Sequence, residues 1–167
     1  GNFIVVFNGE IYNYLELKSE LRLKYFFRTQ SDTEVLLNAY LEWGEDCLDK
    51  LNGMFSFAIW NKNNQTLFAA RDRFGVKPFY YFIDSKNFYF ASEINTIFEA
   101  GVSKLPNNEV WLNFFSDGSY GLPNETFWKD IKQLEAGHFL TIKTNHLQIK
   151  KWYHFEERIE KLQNHFE

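Results

Sequence analysis

Hydrophobic and polar residues alternate along this chain in a mixture of strand-like and helix-like patterns. Residues 3–7 form an apolar run that meets Asn8-Gly9, and residues 15–23 then mix leucines with charged residues as in an amphipathic helix. Residues 54–60 are almost wholly apolar, which predicts a strand buried on both faces. The remaining pattern predicts short helices over 45–51, 93–99 and 108–115, and strands over 66–70, 78–83, 87–91, 137–143 and 147–152.

A capping motif predicts where the second long helix begins. Ser31-Asp32-Thr33-Glu34 places a hydroxyl at the cap and a glutamate three residues later. Apolar residues at helical spacing follow over 35–43, and Gly44 is a plausible stop. Several helices combined with many antiparallel hairpins indicate an α+β fold, and strands buried on both faces suggest sheets sandwiched between helices.

Composition narrows the classes of partner. The 167 residues are 45% hydrophobic and 20% aromatic, enough for one domain with a sizeable core. The net charge of −4 gives no electrostatic reason to expect nucleic acid or an anionic membrane as a partner, and no apolar run reaches membrane-spanning length. Cys47 is the single cysteine, so an intrachain disulfide is excluded and a reducing, cytoplasmic location is expected.

The Asn8-Gly9 pair is the main chemical candidate. Asn-Gly usually forms a hairpin turn, but here a helix pattern follows instead of a second strand. The sequence therefore predicts a strand that ends at Asn8-Gly9 and presents a side-chain amide beside a backbone N–H. Two such donors can form an oxyanion hole. The alternative is a plain strand-to-helix turn, for which Asn-Gly is also well suited.

Six stretches of the chain carry a family resemblance in the expected order. The first contains Asn8-Gly9, and the last contains Ala136-Gly137-His138. They resemble the glutamine amidotransferase domain of glutamine-hydrolysing asparagine synthetases, which belongs to the N-terminal-nucleophile hydrolases. The stretches are residues 7–14, 31–37, 51–60, 70–78, 90–94 and 134–138.

The resemblance implies a four-layer α/β/β/α sandwich with mostly antiparallel sheets. The amidotransferase domain would occupy residues 1–155, and the charged residues 156–167 would form a helix or linker toward a synthetase domain. The implied substrate is L-glutamine, with no cofactor in this domain. The released ammonia would pass to the synthetase domain, where ATP and Mg²⁺ activate aspartate. The resemblance leaves open whether the protein forms a homodimer.

The resemblance also assigns roles to four residues. Asn8 and Gly9 would stabilise the oxyanion through the side-chain amide and the backbone N–H. Glu10 and Asp32 would bind the α-amino group of glutamine. Both acids also have a structural explanation, because acidic residues are favourable near helix N-termini.

The chain departs from the family pattern at its start. The family's nucleophile is a cysteine at the mature N-terminus, whereas residue 1 is Gly, and the arginine-bearing segment that holds the substrate carboxylate is also missing. The Ser-Gly-Gly-x-Asp-Ser phosphate-binding loop that is typical of the synthetase half is also not found in this sequence. This polypeptide alone is therefore expected to be inactive as a glutaminase. The alternatives are a non-catalytic module that binds glutamine or docks a partner, and an amidotransferase with another acceptor such as a sugar.

Other reactive residue types have simpler interpretations. Cys47 lies beside acidic residues that would raise its pKa, so we expect a small buried hydrophobe in a helix. Around Gly75, the glycine spacing fits no phosphate loop, and ion pairs are expected among the charged residues there: Arg71, Asp72, Arg73 and Lys77. The histidines lack metal-ligand spacing, so no metal is expected. A strand start is expected at His138, and a turn at residues 144–146 is expected to contain His146.

Overall fold

Two antiparallel sheets form the centre of the molecule in the computed structural model, which describes residues 1–144, 146–157 and 159. The larger sheet has the strand order β1-β2-β3-β7-β8, and the smaller has the order β5-β4-β6. All of their strand pairs are antiparallel. The strands are β1 (Phe3–Ile11), β2 (Gly53–Asn61), β3 (Thr66–Arg71), β4 (Tyr80–Ile83), β5 (Phe88–Ala91), β6 (Lys132–Gln133), β7 (His138–Lys143) and β8 (His146–Lys151).

Helices cover the outer faces of the two sheets. The helices are α1 (Tyr14–Leu21), α2 (Asp32–Trp43), α3 (Cys47–Lys50), α4 (Ile94–Glu99) and α5 (Asn108–Asp117). The first three pack on the larger sheet through one apolar cluster. A second cluster joins the two sheets, and a third joins α4 to the outer face of the smaller sheet. The predicted α+β, four-layer α/β/β/α arrangement is therefore confirmed.

Strand β2 shows why the layers stack in this way. Phe55, Phe57 and Ile59 belong to the cluster on the helical side, and Ala58 belongs to the cluster between the sheets. Because side chains of a strand alternate between its two faces, a strand that is apolar at nearly every position can bury both faces. The prediction of a doubly buried strand at 54–60 is confirmed.

The second long helix begins and ends as predicted. Of the two hydrogen bonds that a capping box implies, the one from the glutamate is not formed. The Ser31 hydroxyl accepts a hydrogen bond from the Thr33 N–H, and Gly44 ends the helix with φ of 58°. The Glu34 carboxylate does not reach back to the cap. It accepts hydrogen bonds from the backbone N–H groups of Arg28 and Thr29, because the preceding loop folds over the first turn.

The first strand is longer than predicted. It continues through Asn8 and Gly9 to Ile11, and the turn to α1 comes at Tyr12 and Asn13. The predicted end of the strand at Asn8-Gly9 is therefore wrong. The extra residues pair with β2 as far as Ile11 and Gly53, so tertiary pairing overrides the local turn preference of Asn-Gly.

Smaller differences occur near the C-terminal end. The two-residue strand β6 escaped prediction because so short a segment carries no periodicity. His138 begins β7 as predicted, whereas His146 begins β8 and is not a turn residue. The predicted turn at 144–146 and the predicted helix or linker at 156–167 include residues outside the described part of the chain. Among the described residues, no helix has the length and apolar character needed to cross a membrane.

Candidate active site

Strand β1 holds Asn8 at the junction between the two sheets. Phe7 and Ile11 face the helical layer, so the intervening Asn8 side chain points to the opposite face, toward the smaller sheet. There its Nδ2 donates a hydrogen bond of 3.0 Å to the Oγ of Ser92, the residue after β5. A side-chain amide is thus fixed between two sheets that are joined mainly by apolar packing.

Gly9 is required by the close approach of β1 and β2. A Cβ atom added at Gly9 would lie 2.2 Å from the carbonyl oxygen of Met54, and Gly9 has φ of 155°. Across the ladder, a Cβ at Gly53 would lie 2.1 Å from the carbonyl oxygen of Glu10. Since neither backbone oxygen can give way without opening the sheet, both positions exclude any side chain.

The backbone N–H of Gly9 points away from β2. Its ladder partner Phe55 turns both of its backbone groups to the other side, donating to the Asp72 carboxylate and accepting from the Asp72 N–H. In antiparallel pairing this makes Gly9 and Phe55 a non-hydrogen-bonded pair. Because β1 lies at the edge of the larger sheet, the Gly9 N–H is directed toward the open edge.

Asp32 lies on that same edge. Its Oδ2 accepts a hydrogen bond of 3.1 Å from the backbone N–H of Ile11, which has the same orientation as the N–H of Gly9. Two residues of an extended strand separate these groups by roughly 7 Å. The first turn of α2 thereby brings a carboxylate beside the 8–10 segment. The adjacent Glu10 is exposed, so the structure brings all four predicted residues to one region.

Two cavities open beside Asn8. A small one of about 70 Å³ contains Asn8 and Ser92 in its lining. A larger apolar groove of about 370 Å³ runs between the sheets along Ile4, Val6 and Phe88. The two share Val6, Ala58 and Phe90, so the groove leads toward the Asn8 amide.

The charged cluster around Gly75 is structural, but ion pairing does not hold Arg71 and Asp72. Asp72 is 1% exposed, and its carboxylate accepts hydrogen bonds from the backbone N–H groups of Phe55, Phe74, Val76 and Lys77. The Arg71 guanidinium donates to the carbonyl oxygens of Lys77, Leu134 and Gly75. Both charges therefore fix the loop after β3, so the expected ion pairs are wrong for these two residues.

Cys47 has no access to the site. It is 0% exposed within α3, and burial, followed by the charge of Asp46, raises the pKa of its thiol to about 12. The prediction of a small buried residue in a helix is confirmed. Across the described part of the chain, no three His, Cys, Asp or Glu residues are grouped so as to hold a metal ion.

Sequence reasoning missed Ser92 as a member of the site. Ser92 lies 84 positions from its partner Asn8, and only the packing of the smaller sheet on the larger one brings them together. Its position directly after a predicted strand was visible in the sequence. Nothing in the local pattern linked it to Asn8.

A solved structure of an amidotransferase has a similar arrangement. The glutamine phosphoribosylpyrophosphate amidotransferase from B. subtilis, complexed with ADP and GMP, superimposes with a TM-score of 0.61 at 21% identity. The match covers 90% of this chain and 29% of that one. At this identity the likeness establishes the fold alone.

Sequence comparison defines the family. The family model described as a glutamine amidotransferase domain matches residues 1–153, and the chain belongs to this family. The chain is 41% identical to asparagine synthetase [glutamine-hydrolyzing] 3 of Bacillus subtilis (strain 168) over 92% of its own length. It is 39% identical over 93% of its length to a putative asparagine synthetase [glutamine-hydrolyzing] 2 of Methanocaldococcus jannaschii. The chain spans only 25% and 30% of these relatives.

Proposed function

We propose that this domain hydrolyses the side-chain amide of glutamine, with Asn8 and Gly9 as its oxyanion hole. The observation that carries the proposal is the pair of donors at one point of β1. The Asn8 amide is fixed at the sheet junction, and the Gly9 N–H faces the open edge. Attack on a carboxamide carbonyl places negative charge on its oxygen, and preorganised N–H groups stabilise that charge.

Asp32 and Glu10 bind the α-amino group of the substrate in this proposal. The Asp32 carboxylate lies on the same edge as the Gly9 N–H, and Glu10 lies between Gly9 and Ile11, the residue that Asp32 contacts. Two acidic side chains near a reaction centre favour a cationic group there through charge-assisted hydrogen bonds. The free α-amine distinguishes glutamine from the side chain of a glutamine residue within a polypeptide.

The nucleophile is a cysteine that the complete protein supplies at its mature N-terminus. Its thiolate attacks the carboxamide carbon, the oxyanion collapses with loss of ammonia, and water hydrolyses the resulting thioester to glutamate. The α-amino group of the cysteine carries the proton to the leaving nitrogen. Cys47 cannot substitute, because its thiol is buried and its pKa is raised to about 12.

The complete protein uses the ammonia to amidate aspartate in this proposal. The support is the identity to relatives named as glutamine-hydrolysing asparagine synthetases, of which this chain spans 25% and 30%. ATP and Mg²⁺ would be bound by the synthetase part of the protein. A cytoplasmic location agrees with an enzyme of this kind.

The test uses the complete protein with its N-terminal cysteine. Glutamine should be converted to glutamate and ammonia, and Asn8→Ala should lower kcat by roughly 10²- to 10³-fold, the usual cost of losing one oxyanion-hole donor. The control Asn64→Ala alters an exposed turn and should retain full activity. Glutamine binding without glutamate release would overturn the proposal and favour a non-catalytic module. Adding ATP with aspartate, and in a separate assay ATP with a sugar, identifies the acceptor that receives the ammonia.

A further inference from the structure

We infer that Ser92 is a positioning residue for glutamine hydrolysis, because its hydroxyl sets the orientation of the Asn8 side-chain amide. This inference rests on the proposed function and deepens it. The observation that carries it is the 3.0 Å hydrogen bond from Asn8 Nδ2 to Ser92 Oγ, which joins β1 of the larger sheet to the end of β5 in the smaller one.

An amide nitrogen carries two hydrogens, and each can be donated to a separate acceptor. Ser92 accepts one of them, so the plane of the Asn8 amide is fixed and the second hydrogen has a defined direction. Asn8 and Ser92 both line the cavity of about 70 Å³ that adjoins the groove between the sheets. The second N–H is therefore held beside the space that a reacting carbonyl would enter.

A fixed orientation has a catalytic value that the mere presence of the amide does not have. The torsion between the amide group and the rest of an asparagine side chain is broad, so an unheld amide samples many directions. An oxyanion-hole donor is effective when it is aimed before the charge develops. Ser92 supplies this aim through its hydrogen bond to the Asn8 amide.

The hydroxyl of Ser92 is itself well placed by the fold. Residue 92 follows directly after β5, whose Phe88 and Phe90 rings pack into the layer between the sheets. The Phe90 ring stacks on Phe79 with 5.4 Å between ring centroids. Because β5 pairs with β4 over all four of its residues, the position of Ser92 is set by the smaller sheet. The hydrogen bond thus transmits the relative placement of the two sheets to the amide.

The kinetic test compares variants of the complete protein in glutamine hydrolysis. Ser92→Ala should lower kcat roughly 10- to 100-fold, as expected for a misaimed catalytic group, and leave KM for glutamine nearly unchanged. Ser92→Thr keeps a hydroxyl and should restore most of kcat. Ser85→Ala makes the same serine-to-alanine change in the exposed turn of the β4–β5 hairpin and should behave like the unaltered protein.

A double-variant comparison separates positioning from a general structural effect. If Ser92 acts through Asn8, then Asn8→Ala combined with Ser92→Ala should be no slower than Asn8→Ala alone. Additive losses in the double variant would overturn the inference. An unchanged kcat in Ser92→Ala would do so as well.

A spectroscopic measurement tests the contact independently of activity. In ¹H–¹⁵N spectra of the 167-residue chain, the Asn8 side-chain amide pair is identified by its loss in Asn8→Ala. Ser92→Ala should shift this pair strongly, while Ser92→Thr and Ser85→Ala should leave it near its original position. An unshifted pair in Ser92→Ala overturns the inference alone. A shifted pair in a complete protein that does not hydrolyse glutamine overturns the proposed function and the catalytic role of Ser92 with it.

Discussion

Gly9 on β1 lies so close to Met54 on β2 that a Cβ atom at Gly9 would be only 2.2 Å from the Met54 carbonyl oxygen. Gly53 repeats this relation in the opposite direction, with Glu10 as its neighbour. Two glycines thus allow β1 and β2 to approach more closely than side chains would permit. This approach leaves no room for a side chain at either glycine.

Replacing Gly9 with alanine should damage the fold itself. The added methyl group meets backbone atoms that cannot move without separating β1 from β2, so we expect a loss of roughly 2–4 kcal/mol in the free energy of unfolding. Urea denaturation followed by circular dichroism measures the loss. Gly1→Ala is the control, because no atom lies within 4 Å of a Cβ there. Equal stability of the two variants would contradict the close approach.

Asp32→Asn should separate substrate binding from stability. Asparagine keeps a carbonyl oxygen that can accept the Ile11 N–H, which is 3.1 Å away, but it loses the negative charge. In the complete protein we expect KM for glutamine to rise roughly 10- to 100-fold, corresponding to the 1.5–3 kcal/mol of a charge-assisted hydrogen bond. The melting temperature should change little. Ser31→Ala, which removes the helix cap, should show the reverse pattern.

Asp72→Asn should be strongly destabilising although it is nearly isosteric. The buried carboxylate accepts hydrogen bonds from the N–H groups of Phe55, Phe74, Val76 and Lys77, and an amide would direct its own donors at some of them. The expected loss is on the order of 3 kcal/mol in the free energy of unfolding. The exposed Asp130→Asn provides the control in chemical denaturation. A loss no larger than that of the control would show that these bonds contribute little.

Glu34 should make the stability of the domain depend on pH. Hydrogen bonds from the Arg28 N–H, and then from Thr29, lower the pKa of Glu34 below its usual value of 4.5. The folded state therefore favours the ionised form. Its contribution to stability is fully present above pH 4.5 and is lost as the pH falls through the lower folded pKa.

Glu34→Gln is the variant that tests this dependence. The stability difference between unaltered protein and variant, measured by urea unfolding, should be largest near neutral pH and shrink below about pH 4. Glu16→Gln changes an exposed residue of α1 and should give a difference that is small at every pH. A difference for Glu34→Gln that stays constant from neutral to acidic pH would exclude the carboxylate as its source.

Cys47 should react with thiol reagents only after the protein opens. Its side chain is 0% exposed, and burial raises its pKa to about 12, so little thiolate exists and none is accessible. Ellman's reagent should modify the native protein far more slowly than the protein in denaturant. A Cys47→Ala variant gives the background rate. Rapid modification of native protein would show that α3 opens readily.

The local elements of the fold could be predicted from the sequence because their signals are local. The apolar run at 54–60 required a doubly buried strand, and Ser31 and Gly44 marked the ends of α2. The predicted end of the strand at Asn8-Gly9 was wrong, because the local preference for a turn was outweighed by nine residues of pairing between β1 and β2. Short β6 exists only through its partner β4.

By itself, the sequence determined the α+β class and the order of the main strands and helices. These features depend on periodicity and on residue type. The tertiary structure alone decided that the Gly9 N–H faces the edge of the larger sheet, that Asp32 contacts Ile11 beside it, and that Asn8 donates a hydrogen bond to Ser92. Those relations join residues 21 and 84 positions apart, and only the stacking of sheets and helices can bring them within hydrogen-bonding distance.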